Sequence, residues 1–142
     1  MKKTVNITKG VVLLLVLCLM VSACSMAKTQ GSLWDAATYK QDTELGEGEK
    51  QVMVEVRAEE KAVVFTLHTN AQKLDEALLE HALIAGEMGA YGLYVNVVNG
   101  MEADYEKNGT YWSLIKEGEP MMTGVSGVEL SGGERFELVC MQ

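Results

Sequence analysis

Proline is almost missing from this 142-residue chain: Pro120 stands alone. A Pro-rich stalk is therefore excluded, and 14 glycines without a three-residue period exclude collagen. Histidine is nearly as scarce, with only His68 and His81. A two-histidine metal site would need a further ligand, and nothing in the spacing supplies one, so metal is expected to be absent. No G-x-S-x-G, H-E-x-x-H or Cys/His signature occurs, and no glycine loop leads into a helix. The expectation is a protein that is not an enzyme.

Basic residues are also few, and unevenly placed. The chain has 12 Lys+Arg against 20 Asp+Glu, a formal charge of −8. Three of those lysines (Lys2, Lys3 and Lys9) fall in residues 1–23, which hold no acid. Residues 24–142 thus carry nine basic and 20 acidic side chains, or −11. Such a balance argues against nucleic acid, whose phosphates need a basic footprint. It equally argues against lying flat on an anionic bilayer.

No apolar run reaches the roughly 20 residues that span a bilayer. The run from Val11 to Val21 is about half that length and follows a basic start, which is the pattern of a signal peptide. It ends in Val21-Ser22-Ala23-Cys24, which resembles the lipobox of bacterial lipoproteins. There, small residues precede a cysteine that takes lipid and becomes the new N-terminus. An ordinary secretory cut after Ala23 is the other reading. On the lipobox reading, Cys24 carries the lipid and the protein is held on the outer face of the bacterial cytoplasmic membrane. Only Cys140 would then remain as a free thiol, so no intrachain disulfide is available. Its neighbours Val139 and Met141 suggest a buried structural cysteine in a strand near the C-terminus.

Residues 24–50 are assigned to a tether and lead-in. Residues 25–32 reach at most about 26–29 Å when extended. Trp34, Tyr39 and Leu45 could pack residues 33–50 onto the domain, or the tether could continue through them. From Gln51 the pattern sharpens. Val52, Val54 and Val56 alternate with Met53, Glu55 and Arg57, and Val63, Phe65 and Leu67 alternate after a polar turn at residues 58–61. This reads as an antiparallel hairpin. Leu74, Leu78, Ala82 and Ala85 then share one helical face, with Asp75 and Glu76 in the first turn and Gly86 as C-cap. Residues 91–98 read as a strand ended by Asn99-Gly100. Tyr111 to Ile115 form another, with a turn at residues 116–119 and a return through residues 121–123. Residues 136–139 close the order β-β-α-β-β-β. The expected class is α+β: a β-grasp-like domain over residues 51–142, with one helix and a mixed or antiparallel sheet.

Several of these segments carry a family resemblance. They are residues 74–80, Tyr91-Gly92-Leu93-Tyr94-Val95 with Asn99-Gly100, the pair Tyr111-Trp112, Met122-Thr123-Gly124-Val125, and Gly133. Together they resemble the transcobalamin C-terminal-like domain found in lipoproteins of Gram-positive bacteria. One departure is that Ser113-Leu114-Ile115-Lys116-Glu117-Gly118 stand where the family has aromatic residues and an Asn-Gly turn, so that two aromatic positions are lost while Gly118 still supplies the turn. Animal relatives bind cobalamin between two domains, this fold being one half of the clamp. The resemblance implies a small ligand of the corrinoid type (cobalamin or a relative), and no partner domain is expected in residues 24–142.

The residues that could meet such a ligand are Tyr111 and Trp112, with Tyr94 and Met121. Adjacent strand residues face opposite ways, so one of the Tyr111-Trp112 pair belongs to the core and the other to the surface. Asp104-x-Glu106-x-Asn108-Gly109 imitates a calcium loop, but its twelfth position is Ile115, so a solvated acidic loop is expected. The alternative function is a surface adaptor that docks another protein through an edge strand or an acidic face.

Overall fold

The alternation that begins at Gln51 builds β2 (Lys50–Ala58). Val52, Val54, Val56 and Ala58 point one way and are fully buried, while Met53, Glu55 and Arg57 point the other. Antiparallel to it lies β3 (Lys61–Thr69), in register from Lys50 opposite Thr69 to Ala58 opposite Lys61. Val63, Phe65 and Leu67 face the same core. The computed structural model describes residues 31–142. The expected signal peptide over residues 1–23, with Cys18, and the expected lipidation site Cys24 lie outside them.

Residues 33–50, for which composition allowed either a tether or a packed lead-in, are packed. A 3-10 turn at Leu33–Asp35 buries Trp34, whose indole Nε1 donates to the Ala58 carbonyl at 2.9 Å. The Glu59 carboxylate accepts from the Ser32 hydroxyl at 2.6 Å and from the Leu33 amide at 3.0 Å. These two donors, the hydroxyl foremost, hold the Glu59 carboxyl below the usual carboxylate range. Tyr39 meets Phe65 edge-on at 5.5 Å. The short β1 (Thr43–Leu45) pairs parallel with β3. The compact unit runs from Gly31 to Gln142.

The last strand, β9 (Arg135–Met141), enters the sheet between β2, to which it is parallel, and β7 (Tyr111–Lys116), to which it is antiparallel. Phe136 and Leu138 supply its buried face. Glu117 and Gly118 turn the chain at positive φ (52° and 80°) into β8 (Glu119–Pro120). The expected return through residues 121–123 lies earlier, at Glu119–Pro120, and one further bond, from the Met121 amide to the Leu114 carbonyl at 2.9 Å, ends the ladder. The order in this sheet is β1-β3-β2-β9-β7-β8.

The helix is also shorter than its stripe suggested. α1 covers Leu74–Leu79, with Leu74, Ala77 and Leu78 buried. Ala82 sits at φ 51° and breaks the helix, and Ala82 and Ala85 are exposed rather than inward. Leu83 and Ile84 take their place in the core. A left-handed alanine costs roughly 1–2 kcal/mol; burying two large aliphatic side chains gains about 1.5–3 kcal/mol each. Gly86 and Gly89 are accordingly not helix caps. They belong to β4 (Ile84–Gly89), which pairs antiparallel with β5 (Gly92–Val98) through a bulge between Ala85 and Gly86.

Asn99 and Gly100, at φ 51° and 80°, make the expected two-residue turn into β6 (Met101–Glu102). Asn99 is buried. Its side chain accepts from the Tyr39 amide at 2.9 Å and donates to the Tyr39 carbonyl at 2.8 Å, tying the lead-in to the second sheet. Residues 104–109 form a capped turn. Asp104 accepts from the Lys107 amide at 3.1 Å, α2 covers Tyr105–Asn108, and Gly109 closes it at φ 73°. Lys107 also holds the Asp104 carboxyl below its usual range. The expected α+β class is present, sheet-dominated with two small helices. The strands divide into two sheets, β4-β5-β6 being the second, where a single sheet was expected.

On the outer face of the first sheet, Glu55 lies between Arg57 and Arg135, the latter at 2.8 Å. The Arg57 guanidinium, followed by Arg135, holds the Glu55 carboxyl below the usual range despite some opposing burial. Because the folded value is depressed, this contribution is present above the unfolded carboxylate pKa of about 4.3 and is lost as pH falls through the folded value. Glu55→Gln is expected to reduce stability at pH 7 by about 0.2–1 kcal/mol. The difference from wild type should vanish in urea titrations run well below that window. A difference that persisted there would assign the loss to packing instead of charge.

Candidate functional site

Tyr94, Tyr111, Trp112 and Met121, singled out separately along the sequence, line one open groove of about 280 Å³. Each reaches it for a local reason. On β5, Leu93 and Val95 are half-buried and Tyr94 between them is 60% exposed. On β7, Trp112 is 9% exposed and Tyr111 39%, so the expected division of that pair into a core and a surface residue holds. Residues 121–125 leave β8 and form a further wall, with Met122 wholly exposed and Val125 buried. The Ser126 hydroxyl fastens the end of this wall by accepting the Leu93 amide at 3.0 Å. A Cβ on Gly92 would come within 2.6 Å of the Ser126 Cβ, so this close approach requires glycine at residue 92.

The rim toward β7 is a sheet edge. β8 pairs only with Ile115 and Lys116. In an antiparallel ladder alternate residues bond to opposite sides, and Leu114 uses its carbonyl for Met121, away from β9. By the same parity the backbone N–H and C=O of Trp112 face the open side. The Trp112 indole Nε1 is buried and has no hydrogen-bond partner, in contrast to that of Trp34.

Beyond Tyr94 the surface becomes acidic. Tyr94 also borders a second concavity of about 490 Å³ that Glu87, Glu102, Asp104 and Glu106 line. Tyr105, on its rim, meets Tyr111 edge-on at 6.3 Å. The two concavities thus share Tyr94, one being apolar on the methionine side and the other anionic. Chemically the arrangement offers aromatic faces and open hydrogen-bonding groups. Among the described residues, no group of three or more His, Cys, Asp or Glu is placed to hold a metal ion. The His68 ring Nε2 bonds Glu44 at 2.5 Å. Cys140, opposite Trp112 on β9, is half-buried instead of fully buried. Burial first, and then the Glu59 charge, pushes its thiol up, away from the thiolate a nucleophile needs.

The sequence reading did not include Leu93, Met122 and Ser126 in this site. Residues 122–125 were among those carrying the family resemblance, which was their available signal; nothing in their own chemistry marks a groove wall.

Residues 71–138 match a family profile described as a domain of unknown function (DUF4430). Among solved structures, a protein from Ruminococcus gnavus ATCC 29149, named as a candidate metal binding protein, is 34% identical, with a TM-score of 0.62. The match covers 66% of this chain and 98% of that one. Haptocorrin in complex with Cbi superposes with a TM-score of 0.53 at 20% identity, over 69% of this chain and 26% of haptocorrin, a likeness of fold. No match was found among curated proteins. The identity shared with nearly the whole Ruminococcus gnavus protein places this chain in one family with that protein, and its fold is the transcobalamin-like fold seen in haptocorrin.

Proposed function

We propose that the chain is a non-enzymatic, lipid-anchored lipoprotein whose groove takes a small, flat ligand of the corrinoid type at the cell surface. The observation that carries this reading is the meeting of Tyr94, Tyr111, Trp112 and Met121 in one open groove. Flat ligand faces gain about 0.5–1.5 kcal/mol per aromatic contact beyond simple burial. An open groove covers one side of such a ligand, which fits a domain acting as half of a clamp. The β-grasp-like reading of the topology, with β2 and β9 parallel beside each other, belongs to the same proposal.

Two comparisons support it. Haptocorrin, whose fold this is, holds Cbi. The Ruminococcus gnavus relative is named for metal, and a corrinoid brings its metal inside its own macrocycle, so it needs no three-ligand cluster from the protein. The acidic concavity beside Tyr94 would disfavour an anionic macrocycle such as heme. Equilibrium dialysis of the full chain in detergent should therefore retain the chromophore of cobinamide, and less or none of heme. Retention of neither cobinamide nor cobalamin would sink the corrinoid reading. The second reading, a protein-docking adaptor, is favoured by the open edge of β7 and is tested by pull-down from solubilised membranes.

The anchor has its own test. Residues 24–142 carry a charge of −11, which anionic lipids repel, so lipid on Cys24 is what would hold the protein. Cys24→Ala is expected to move it from the membrane fraction to the medium even at low salt, as read by immunoblot of the fractions. Membrane retention of that variant would count against the lipobox reading.

A further inference from the structure

We propose that β4 is a docking edge for an extended polypeptide segment whose residues alternate between basic and apolar. The inference rests on the protein-docking reading above, to which it gives an edge and a partner chemistry, and is independent of the corrinoid reading. Four strands end the two sheets: β1, β8, β4 and β6. β4 is the longest of them, with six residues against three in β1 and two in β6 and β8. Ala85 through Gly89 are all exposed, and at Gly86 and Gly89 the exposed atoms are backbone, since glycine has no side chain. Among the described residues β4 pairs with β5 on one side and with no strand on the other. Ladder parity tells which groups stand open. In an antiparallel pair, opposed residues either bond each other or both turn away. Leu93, opposite Met88, turns away: its amide donates to the Ser126 hydroxyl at 3.0 Å. The Met88 N–H and C=O therefore face the open side, and Gly86, two residues back, has the same parity. Such a row of groups is a template for one more strand.

Charge decides which strand fits. Glu87 lies opposite Tyr94 and lines the concavity that also holds Glu102, Asp104 and Glu106. Lys107 stands beside Asp104, but Glu87, Glu102 and Glu106 are in no ion pair among the described residues. Met88 points to the other face, opposite Leu93 of the groove. Residues 88–101 and 120–128, which supply that side, include no charged side chain. A strand added to β4 would set alternate side chains on these two faces. Basic residues beside Glu87 and apolar ones beside Met88 match them, whereas acidic residues are repelled. A second copy of this chain matches poorly, because β4 against β4 brings two acidic concavities together in a protein that carries −11 over residues 24–142. Exposed Glu87 thus guards the edge against self-pairing and selects a basic partner.

The test uses ¹⁵N-labelled full chain in non-ionic detergent and three capped hexapeptides: alternating Lys-Val, alternating Glu-Val, and a block of three Lys followed by three Val. The alternating Lys-Val peptide is expected to shift the Met88 and Gly86 amide signals and to slow their exchange with solvent. The block peptide has the same charge but cannot match both faces and the edge hydrogen bonds together, so it should need about ten-fold more for the same shift. The Glu-Val peptide should leave both signals unmoved. Glu87→Lys, at an exposed position, should invert the preference between the two alternating peptides; if that variant does not fold, the wild-type titrations decide alone. Equal response to the alternating and block Lys peptides would reduce the effect to charge attraction and overturn the inference. A Met88 amide already slow to exchange without peptide would also overturn it, since this chain or a second copy would then cover the edge. A shift at the Trp112 amide with none at Met88 leaves the docking reading standing at β7 and removes it from β4. Cobinamide, titrated in parallel, keeps the corrinoid reading apart: if it is silent while the Lys-Val peptide moves Met88, that reading falls and the β4 edge stands.

Discussion

Phe136→Ala should lower the unfolding free energy by about 3–5 kcal/mol. Small domains have only about 5–15 kcal/mol in total, so much of the variant would be unfolded at moderate urea. Phe136 has no exposed surface and sits on β9, between β2 and β7. Val54 lies opposite it on β2, and Phe65 and Leu138 belong to the same buried cluster. Six strands share this sheet, and their hydrogen bonds fix the backbone around the site. The neighbours can collapse only partly into the space the ring leaves, so a cavity term adds to the lost transfer energy. Lys116, whose ammonium lies 5.6 Å from the ring centroid, would lose that contact too. Urea denaturation followed by tryptophan fluorescence measures the loss. A change under about 1 kcal/mol would mean that the core tolerates collapse around β9, contrary to close packing.

The same residues show why part of the fold could be read along the chain. β2, β3, β7 and β9 were legible because Val52, Phe65, Trp112 and Phe136 sit in segments whose alternation is local. The start of α1 was legible for a similar reason. Leu74 begins the apolar face, and the Glu76 carboxylate accepts from the Gln72 and Lys73 amides at 3.1 and 3.3 Å. Its end was not, because Ala82 and Ala85 continue the helical spacing while the core selects Leu83 and Ile84. β4 was missed since only Ile84 along it is buried, so it has no alternation to detect. The placement of β9 beside β2 depends on partners some 80 residues apart, as Met53 opposite Arg135 shows, and no window along the chain contains both. The groove follows the same logic. Tyr94, Tyr111 and Met121 could each be named from local pattern or family resemblance. Their meeting depends on the approach of β5 to the open edge of β7 and on the crossing of residues 121–125.

Gly86→Ala should separate β4 from β5 at the bulge and cost about 1–3 kcal/mol, the usual range for forcing extra volume into packed structure. An ideal Cβ there would lie 1.9 Å from the Tyr94 carbonyl oxygen, 2.8 Å from its carbon and 3.1 Å from the Val95 Cα. All three are backbone atoms, so no side-chain rotation relieves the overlap and the strands themselves must move. Tyr94 stands on the groove rim, so its displacement should carry into the site. This outcome also distinguishes the strand from the helix cap that the sequence suggested. At a left-handed cap, alanine costs only the conformational penalty of roughly 1–2 kcal/mol, with no clash. Gly109 and Gly133 provide that comparison, at φ 73° and 87° with nothing within 4 Å of an added Cβ. Hydrogen exchange read by mass spectrometry should show Gly86→Ala accelerating residues 84–98 while β2 and β3 keep their protection. Gly133→Ala should leave residues 84–98 as they are. If Gly86→Ala also leaves them unchanged, the two strands do not approach at that bulge as closely as 1.9 Å implies, and Tyr94 is held on the groove rim by something other than β4.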